Sequence, residues 1–460
     1  MLRTHAERET IKHTHDMAIT LQVLPGIPPL LVQNEQDKDN QKKCGKTKKA
    51  TNATAPPTKI LFLDGLRGLA ALLVVTQHSQ EYMQDLNLGA VAVDSFFVLS
   101  SFLLTWLFMK KSICLLNQKA GIRKWAFLLA DYFSKRFCRV YPLFALTCVA
   151  LRIMDDEYKS RYYHIEKAAT FDLFKTLTFD FESRYFVFWT LPLEIAYYFF
   201  IPVFALATLS LRNYWWVPYI PVYWWIITQG WSEYRTSHTG LLPHIPTFLA
   251  GSMAAAVFIK LDPWVKASGV HHQIWFKLLL RTIEFTMLAI FLSVAFRGLF
   301  FNWIHHNVAP QTPGFPFVSV TLTNLIVCEM ILPSPVSSIL EWSFLRYWGK
   351  VSFSVYLLHS FVLFNTTLNS QDNYYCRLFS RFGLLCLLAT LSYQFVEYPS
   401  QLLAQGITKA LNKQEAKGSD DITFFCSKWW NNFSGLAQHF TSILDFKAYR
   451  KSVLLDEHGV

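Results

Sequence analysis

Ten long apolar runs follow one another between residues 60 and 396, and they constrain the fold more than any other feature of the sequence. Each is close to the roughly 17–25 residues that an α-helix needs to cross a bilayer. The runs are Ile60–Tyr82, Leu88–Met109, Phe137–Ile153, Phe186–Leu209, Tyr214–Trp231, Leu241–Leu261, Ile274–Phe296, Phe315–Leu332, Tyr347–Leu368 and Leu378–Val396. The sequence therefore predicts an all-α fold, a polytopic transmembrane bundle of about ten helices.

Composition and charge favour a membrane protein over a nucleic-acid-binding one. Hydrophobic residues make up 52% of the chain, and the net charge is +11. The Lys and Arg residues cluster beside the apolar runs, above all in residues 110–139, as is typical of cytoplasmic loops. They are not interleaved with stacking aromatic residues in a polar domain, so we expect no nucleic-acid partner. The eight scattered cysteines show no zinc-type spacing, so no metal site is predicted.

The sequence divides into three segments. Residues 1–59 are polar and Lys-rich and are predicted to be a disordered cytoplasmic tail, and residues 60–399 form the membrane domain. Residues 400–460 are predicted to be a second cytoplasmic tail, in which Ile422–Leu455 forms an interfacial amphipathic helix or packs against the bundle. An even number of spans then places both termini in the cytoplasm, so the acceptor sequences at Asn52 and Asn432 should stay unglycosylated.

The first run carries ionisable side chains where a bilayer would be. Arg67 and His78 are eleven residues apart, which places them within about 20° on one helix face and roughly 16 Å apart along the axis. Asp64 lies within about 60° of Arg67 on the same side. Because an unpaired charge inside a membrane costs several kcal/mol, such a column is a candidate functional site.

Two further groups combine charge with membrane depth. Arg136 and Arg139, followed by Tyr141, form a cationic pair on one helix face that suits phosphates, although a positive-inside anchor is the favoured explanation of the pair taken alone. Glu194 is a carboxylate inside a predicted span, where it is either catalytic or part of a structural ion pair.

The last two groups lie near the end of the membrane domain. Ser352, Tyr356 and His359 fall within about 40° of one helical stripe, which places a second histidine at membrane depth and favours a polar cavity over a simple core histidine. Glu397 is placed at the inner end of the last helix, where it is either interfacial or functional.

Together these motifs resemble the acyltransferase-3 family of integral membrane acyltransferases. The residues that carry the resemblance follow the family's order and span Ile60–Pro399: Arg67 and His78, Phe96–Phe102, Arg136 with Arg139, Tyr141 and Pro142, Trp189 with Leu191 and Glu194, Ser352–His359, and Glu397 with Pro399. One position departs from the pattern. Ser101 stands where the family usually has Gly, so a close backbone approach there must accommodate a hydroxymethyl group.

The resemblance implies transfer of an acyl group, usually acetyl from acetyl-CoA, to a hydroxyl of a carbohydrate, lipid or secondary metabolite. Arg136, Arg139 and Tyr141 would then bind cytosolic CoA, and His78 would be the general base or an acylated intermediate. Arg67 would hold Asp64 or a CoA phosphate, and Glu194 or His359 would orient His78 or the acceptor.

Two other classes of protein fit the same residues. In a proton-coupled transporter the Arg, Glu and His side chains would form a relay, and solute uptake would consume no acetyl-CoA. In a purely structural membrane protein the buried charges would only pair with one another. The motif order favours the acyltransferase.

Overall fold

The computed structural model describes residues 58–417, apart from positions 84, 87, 166–170, 181–182, 233–239 and 303–315. The described ranges contain helices and connecting turns and no strand. We number the helices α1 (Thr58–His78), α2 (Leu88–Asn117), α3 (Ile122–Ile153), α4 (Asp156–Tyr163), α5 (Leu173–Leu177), α6 (Thr190–Ser210), α7 (Tyr219–Ser232), α8 (Ile245–Ser268), α9 (Ile274–Ala295), α10 (Pro316–Ile331), α11 (Pro335–Leu340), α12 (Ser343–Lys350), α13 (Ser352–Leu363), α14 (Thr366–Asn369), α15 (Tyr374–Ser392) and α16 (Tyr398–Lys417).

The all-helical prediction is confirmed for the described residues, and each of the ten apolar runs overlaps a helix. Five segments are long and apolar enough to cross a membrane, and two shorter apolar helices, Val318–Ile331 and Ser352–Leu363, accompany them. The five are Leu88–Asn117, Phe186–Ser210, Leu242–Ser268, Ile274–Ala295 and Tyr374–Glu415. The chain is thus a helical membrane protein, while a bundle of about ten spanning helices stays a prediction.

Helix α1 lies against α2, α11, α12 and α13, and glycines let its backbone approach α12 closely. A Cβ atom at Gly68 would lie 1.9 Å from the carbonyl oxygen of Leu345, and one at Gly349 would lie 1.9 Å from that of Asp64. Small residues commonly permit such helix contacts in membranes, where van der Waals packing replaces the hydrophobic driving force. This contact fixes the helix that carries Arg67 and His78.

Ser101 also lies at a close helix contact, between α2 and α8. It is buried, and its hydroxyl donates to the carbonyl oxygens of Phe97 at 2.9 Å and Val98 at 3.1 Å. The facing residue on α8 is Gly251, where a Cβ atom would lie 2.0 Å from the Ser101 Oγ. The hydroxymethyl group expected to crowd this position is therefore accommodated by a glycine on the neighbouring helix.

Two predicted helix boundaries are wrong. The run Tyr347–Leu368 is not one helix, because α12 ends at Lys350 and α13 begins at Ser352, next to the close approach at Gly349. The last run does not end near Val396. A π-helical turn, Tyr393–Glu397, joins α15 to α16, so Glu397 lies inside a continuous helix and is only 2% exposed.

Helix α16 packs along α3 instead of leaving the domain at residue 400. Asp131 on α3 is buried and accepts hydrogen bonds from Lys111 at 2.7 Å, Lys135 at 3.1 Å and Thr408 of α16. Two lysines of the basic segment 110–139 therefore share the one acid within it. The predicted amino-terminal tail, the interfacial helix within Ile422–Leu455, Asn52 and Asn432 lie outside the described residues.

Candidate active site

Two histidines predicted separately, on α1 and α13, meet inside the bundle. The Nδ1 atom of His78 lies 3.0 Å from the Nε2 atom of His359. Their rings are tilted by only 10°, with centroids 5.0 Å apart, so they meet edge to edge through this hydrogen bond. His359 is 0% exposed, whereas His78 is partly accessible. The pair therefore has one fully enclosed member, His359, and one partly accessible member, His78.

Hydrogen bonding assigns the tautomers of the neutral pair. The Nδ1 atom of His359 lies 2.8 Å from the carbonyl oxygen of Tyr356, and because a carbonyl only accepts, this nitrogen carries the hydrogen. The Nε2 atom of His359 is then an acceptor, so His78 must donate to it from Nδ1. The lone pair of His78 therefore lies on Nε2, for which the described residues supply no hydrogen-bond partner.

Buried contacts hold α13 in place. The hydroxyl of Tyr356 donates to the carbonyl oxygen of Val187 at 3.2 Å and lies 3.0 Å from Thr190 Oγ1. The hydroxyl of Tyr163 donates to the carbonyl oxygen of Leu357 at 2.5 Å. Ser352, the third member of the predicted stripe, is buried in the first turn of the same helix. These contacts orient His359 by fixing the backbone around it.

The chain that follows His78 is tied to α15. Glu81 accepts hydrogen bonds from Arg377 Nε at 2.8 Å and from Arg381, whose side chain is almost wholly buried. Arg381 also donates to Asn369 Oδ1 at 2.8 Å. A carboxylate that bridges two guanidinium groups is a strong, directional contact. It anchors the carboxy-terminal end of α1, where His78 lies.

Phe186 packs beside the histidine pair, and the sequence analysis did not identify it. Its ring centroid lies 5.1 Å from that of His78, 5.6 Å from that of His359 and 5.1 Å from that of His164. Its backbone has φ 42°, a conformation that L side chains rarely adopt. Positive φ at an aromatic residue leaves no mark in a sequence, so no pattern could have revealed it.

The other charged residues of the sequence motifs gather nearer the amino-terminal end of α1. Arg67 lies close enough for electrostatic interaction with Arg136, Arg139, Asp64 and Glu194. Among the described residues Arg67 forms one ion pair, in which its Nη1 atom lies 3.4 Å from Oδ1 of Asp64. Glu397, on the π-helical turn, also interacts electrostatically with Arg139 and accepts a hydrogen bond from Ser354. Four elements, α1, α3, α6 and this turn, thus contribute charge to one region. We call it the arginine region after Arg67, Arg136 and Arg139.

The arginines of this region keep unused donors. Arg136 and Arg139 form no hydrogen bond or ion pair with the described part of the chain, and the Nε atom of Arg136 is buried. All three arginines are partly exposed. Buried donors are almost always satisfied in folded proteins. The buried Nε atom of Arg136, which has no partner among the described residues, therefore indicates a place for an anionic ligand.

Two predicted site residues have other surroundings than expected. Glu194 accepts a hydrogen bond from Tyr198 at 3.0 Å and interacts with Arg139 and Arg67, so it belongs to the arginine region, whereas His359 is hydrogen-bonded to His78. Tyr141 stacks on Phe137 with ring centroids 4.7 Å apart. Tyr198 also links α6 to α3, because its carbonyl oxygen accepts a hydrogen bond from the Tyr132 hydroxyl at 3.1 Å.

Comparison with protein-family models identifies the family of this chain. The model of the acyltransferase-3 family, described as an acyltransferase domain, matches residues 60–396. This chain belongs to the acyltransferase-3 family. The match covers the histidine pair, the arginine region and all but the last residue of the π-helical turn. It confirms the resemblance that the six sequence motifs carry.

Bacterial proteins are among the relatives of this acyltransferase-3 chain. A "Putative O-acetyltransferase" of Staphylococcus aureus (strain COL) is 26% identical over 76% of this chain and 58% of its own length. A "Putative peptidoglycan O-acetyltransferase" of Bacillus subtilis (strain 168) is 26% identical over 73% of this chain and 54% of its own. The chain thus spans a little over half the length of these relatives. No solved structure matches it.

Proposed function

We propose that this chain is a membrane-bound O-acetyltransferase that moves an acetyl group from cytosolic acetyl-CoA to a hydroxyl of a carbohydrate, lipid or secondary metabolite. The observation that carries the proposal is the histidine pair, in which His359 donates to a backbone carbonyl and accepts from His78. This arrangement fixes the tautomer of His78 and leaves its Nε2 lone pair free to take a proton. An alcohol needs such a base to attack a thioester at neutral pH.

The donor site is proposed to be the arginine region. CoA carries several phosphates, and Arg67, Arg136 and Arg139 offer guanidinium donors that the described residues do not use. We include Tyr141, two residues beyond Arg139, as an aromatic neighbour of the bound donor. The basic segment 110–139 supports entry from the cytosol, because cytoplasmic loops are enriched in Lys and Arg. The pantetheine arm would then extend along α1 towards His78, roughly 16 Å from Arg67.

The proposed reaction is a single transfer with a balanced set of bonds. The acceptor hydroxyl gives its proton to His78 Nε2 as its oxygen bonds to the acetyl carbon, the carbon–sulfur bond breaks, and the imidazolium returns the proton to the CoA sulfur. His359 acts as a positioning residue, since its Nε2 holds the Nδ1–H of His78 throughout. An acetyl-histidine intermediate on the same Nε2 is the variant that kinetics must separate.

Support for a hydroxylated acceptor comes from the names of the relatives, one of which is called a peptidoglycan O-acetyltransferase. Glycan hydroxyls are therefore the first acceptors to test. The family assignment does not favour the proton-coupled transporter.

The test is acetyl-CoA turnover by the purified protein in lipid vesicles. Acceptors are muropeptides, free hexoses, a lipid-linked glycan and a hydroxylated secondary metabolite, and the readouts are CoA thiol release and the mass of the acetylated product. We expect release that depends on one acceptor class and is lost in His78→Ala. Solute uptake without acetyl-CoA consumption, or turnover that is unaffected by His78→Ala, would contradict the proposal.

A further inference from the structure

The surroundings of the histidine pair contain a side chain that the reaction outlined above does not use. Phe186 precedes α6 in a short 3₁₀ turn, Phe186–Trp189, and its ring touches both catalytic-region histidines. It also packs against His164 and against Phe364, with centroids 5.1 Å and 5.5 Å away. One phenyl ring therefore lies between the histidine pair and the exposed His164.

The backbone at Phe186 adopts a strained conformation that holds this ring in place. Its φ of 42° lies in the left-handed region, where glycine would be unstrained and an aromatic residue is a genuine outlier. Strained backbone of this kind is typical of active sites, where surrounding packing over-determines the conformation. At Phe186 the surrounding contacts are those with the two histidines and the two neighbouring rings, so the strain serves the position of the ring.

Water is the competitor that such a ring would exclude. His78 is partly accessible, and a base that deprotonates an alcohol also deprotonates water. Water attack would bond its oxygen to the acetyl carbon and break the carbon–sulfur bond, releasing acetic acid and CoA without an acetylated product. Apolar closure of an active site prevents side reactions of this type.

We propose that Phe186 shields the His78–His359 pair from water and thereby makes this chain a transferase and not a thioester hydrolase. The inference rests on the proposed function. It also places Phe186 on the side of the site that the acceptor approaches, where its ring packs against His164 and Phe364.

The experiment measures CoA release from acetyl-CoA in the absence of any acceptor, with the full chain in lipid vesicles. We expect Phe186→Ala and Phe186→Gly to raise this hydrolysis by about tenfold over wild type, equivalent to about 1.4 kcal/mol in barrier height. Phe186→Leu, which keeps apolar bulk, should stay near wild type. Adding His78→Ala to Phe186→Ala should remove the gain, because hydrolysis uses the same base.

Phe188→Ala is the matched control. Phe188 lies in the same turn and is buried, but its ring packs on Phe144 and Tyr163, 5.1 Å and 4.8 Å away, and it has no ring contact with either histidine in the described structure. Loss of packing there should not raise hydrolysis. Phe186→Gly relieves the backbone strain, so it tests the ring even if Phe186→Ala is poorly folded.

The outcomes separate the two proposals. If wild type acetylates an acceptor but neither Phe186→Ala nor Phe186→Gly hydrolyses acetyl-CoA faster, the shield is wrong and the proposed function stands. A gain of equal size in Phe188→Ala would also overturn the shield, because it would reflect general loosening. If no variant releases CoA with or without acceptors, the acetyltransferase proposal fails, and the shield fails with it.

Discussion

The two polar regions of this bundle differ in how completely their hydrogen bonds are made. At the histidine pair, three of the four ring nitrogens have defined partners, and the pair is supported by Tyr356 and framed by Phe186. In the arginine region, Arg136 and Arg139 have no hydrogen-bond partner among the described residues, and Arg67 has one long contact. The histidine pair is therefore preorganised by its hydrogen bonds, whereas the arginine region has donors without partners in the described part of the chain.

This difference fits two tasks. Chemistry requires a base held in one tautomer and one direction, and preorganised hydrogen bonds achieve that before the substrate arrives. Binding a polyanion requires donors that are not already used, and leaving them unsatisfied is tolerable where the ligand itself completes them. The contrast leads to the interpretation that the histidine pair carries the chemistry and the arginine region carries the affinity for the donor.

The strongest way to break this interpretation is to remove the base. His78→Ala should reduce acetyl transfer by about 10²–10⁴-fold, the usual contribution of general base catalysis, while the KM for acetyl-CoA stays near wild type. The measurement is kcat and KM on purified protein, with size-exclusion profile and thermal stability as controls for folding. Turnover close to wild type would exclude His78 from the mechanism.

The arginine region is tested by the double variant Arg136→Gln/Arg139→Gln. Each lost charge-assisted contact is worth about 1.5–3 kcal/mol, so the KM for acetyl-CoA should rise about a hundredfold or more, with little change in acceptor KM. Added salt should mimic the defect in the wild type. Arg152→Gln, an exposed position on the same helix α3, is the matched control.

The double variant could instead insert poorly into the membrane, while the correctly inserted fraction keeps the wild-type KM for acetyl-CoA. That result would mean that these arginines are positive-inside anchors. The donor site would then have to lie elsewhere, for example at Arg123 and Lys124. Arg123 already donates to the carbonyl oxygen of Gln414 at 3.0 Å, which makes it a weaker candidate.

A smaller effect is expected at His359, which sharpens the distinction between base and positioning residue. His359→Ala should lower kcat by roughly 10–100-fold, as is usual when a supporting partner is lost, and should leave both KM values nearly unchanged. His359→Gln should recover part of the activity, because its side-chain oxygen can accept from His78 Nδ1. A loss in His359→Ala as large as in His78→Ala, without recovery by Gln, would assign proton transfer to His359 itself.

The smallest change concerns packing away from both regions. Gly251→Ala would place a methyl group 2.0 Å from Ser101 Oγ and 2.7 Å from the Val98 carbonyl oxygen. We expect a loss of about 1–3 kcal/mol in stability, seen as a lower melting temperature, with kcat and KM retained. Ser101→Gly in the same chain should restore part of this loss, since it removes the nearer of the two contacts. Purely additive effects of the two substitutions would show that the residues do not interact.

Much of this site could be predicted from local patterns. Helical periodicity places Arg67 and His78, eleven residues apart, on one helix face, and it places His359 at the end of a polar stripe. It thereby predicts both histidines as site residues. Their direct hydrogen bond could not be predicted, because it joins residues 281 positions apart and depends on how α13 packs on α1. The neighbours of Glu194 could not be predicted either, because the packing of α6 sets them.

The remaining errors arise from backbone geometry that apolar runs do not report. The break between α12 and α13 lies beside Gly349, where close backbone contact with α1 overrides the hydrophobic period of the run Tyr347–Leu368. A glycine inside a helical pattern is a signal of close approach and could have indicated it. The π-helical turn at Glu397 and the positive φ of Phe186 have no comparable signal.

The division between affinity and chemistry is tested most directly by acetyl-CoA binding, measured by titration calorimetry without acceptor on three proteins in the same vesicles. Wild type and His78→Ala should bind acetyl-CoA with the same affinity, although only the wild type turns it over when acceptor is added. Arg136→Gln/Arg139→Gln should bind far more weakly. Wild-type affinity in the arginine variant, or lost affinity in His78→Ala, would contradict the assignment of these two regions.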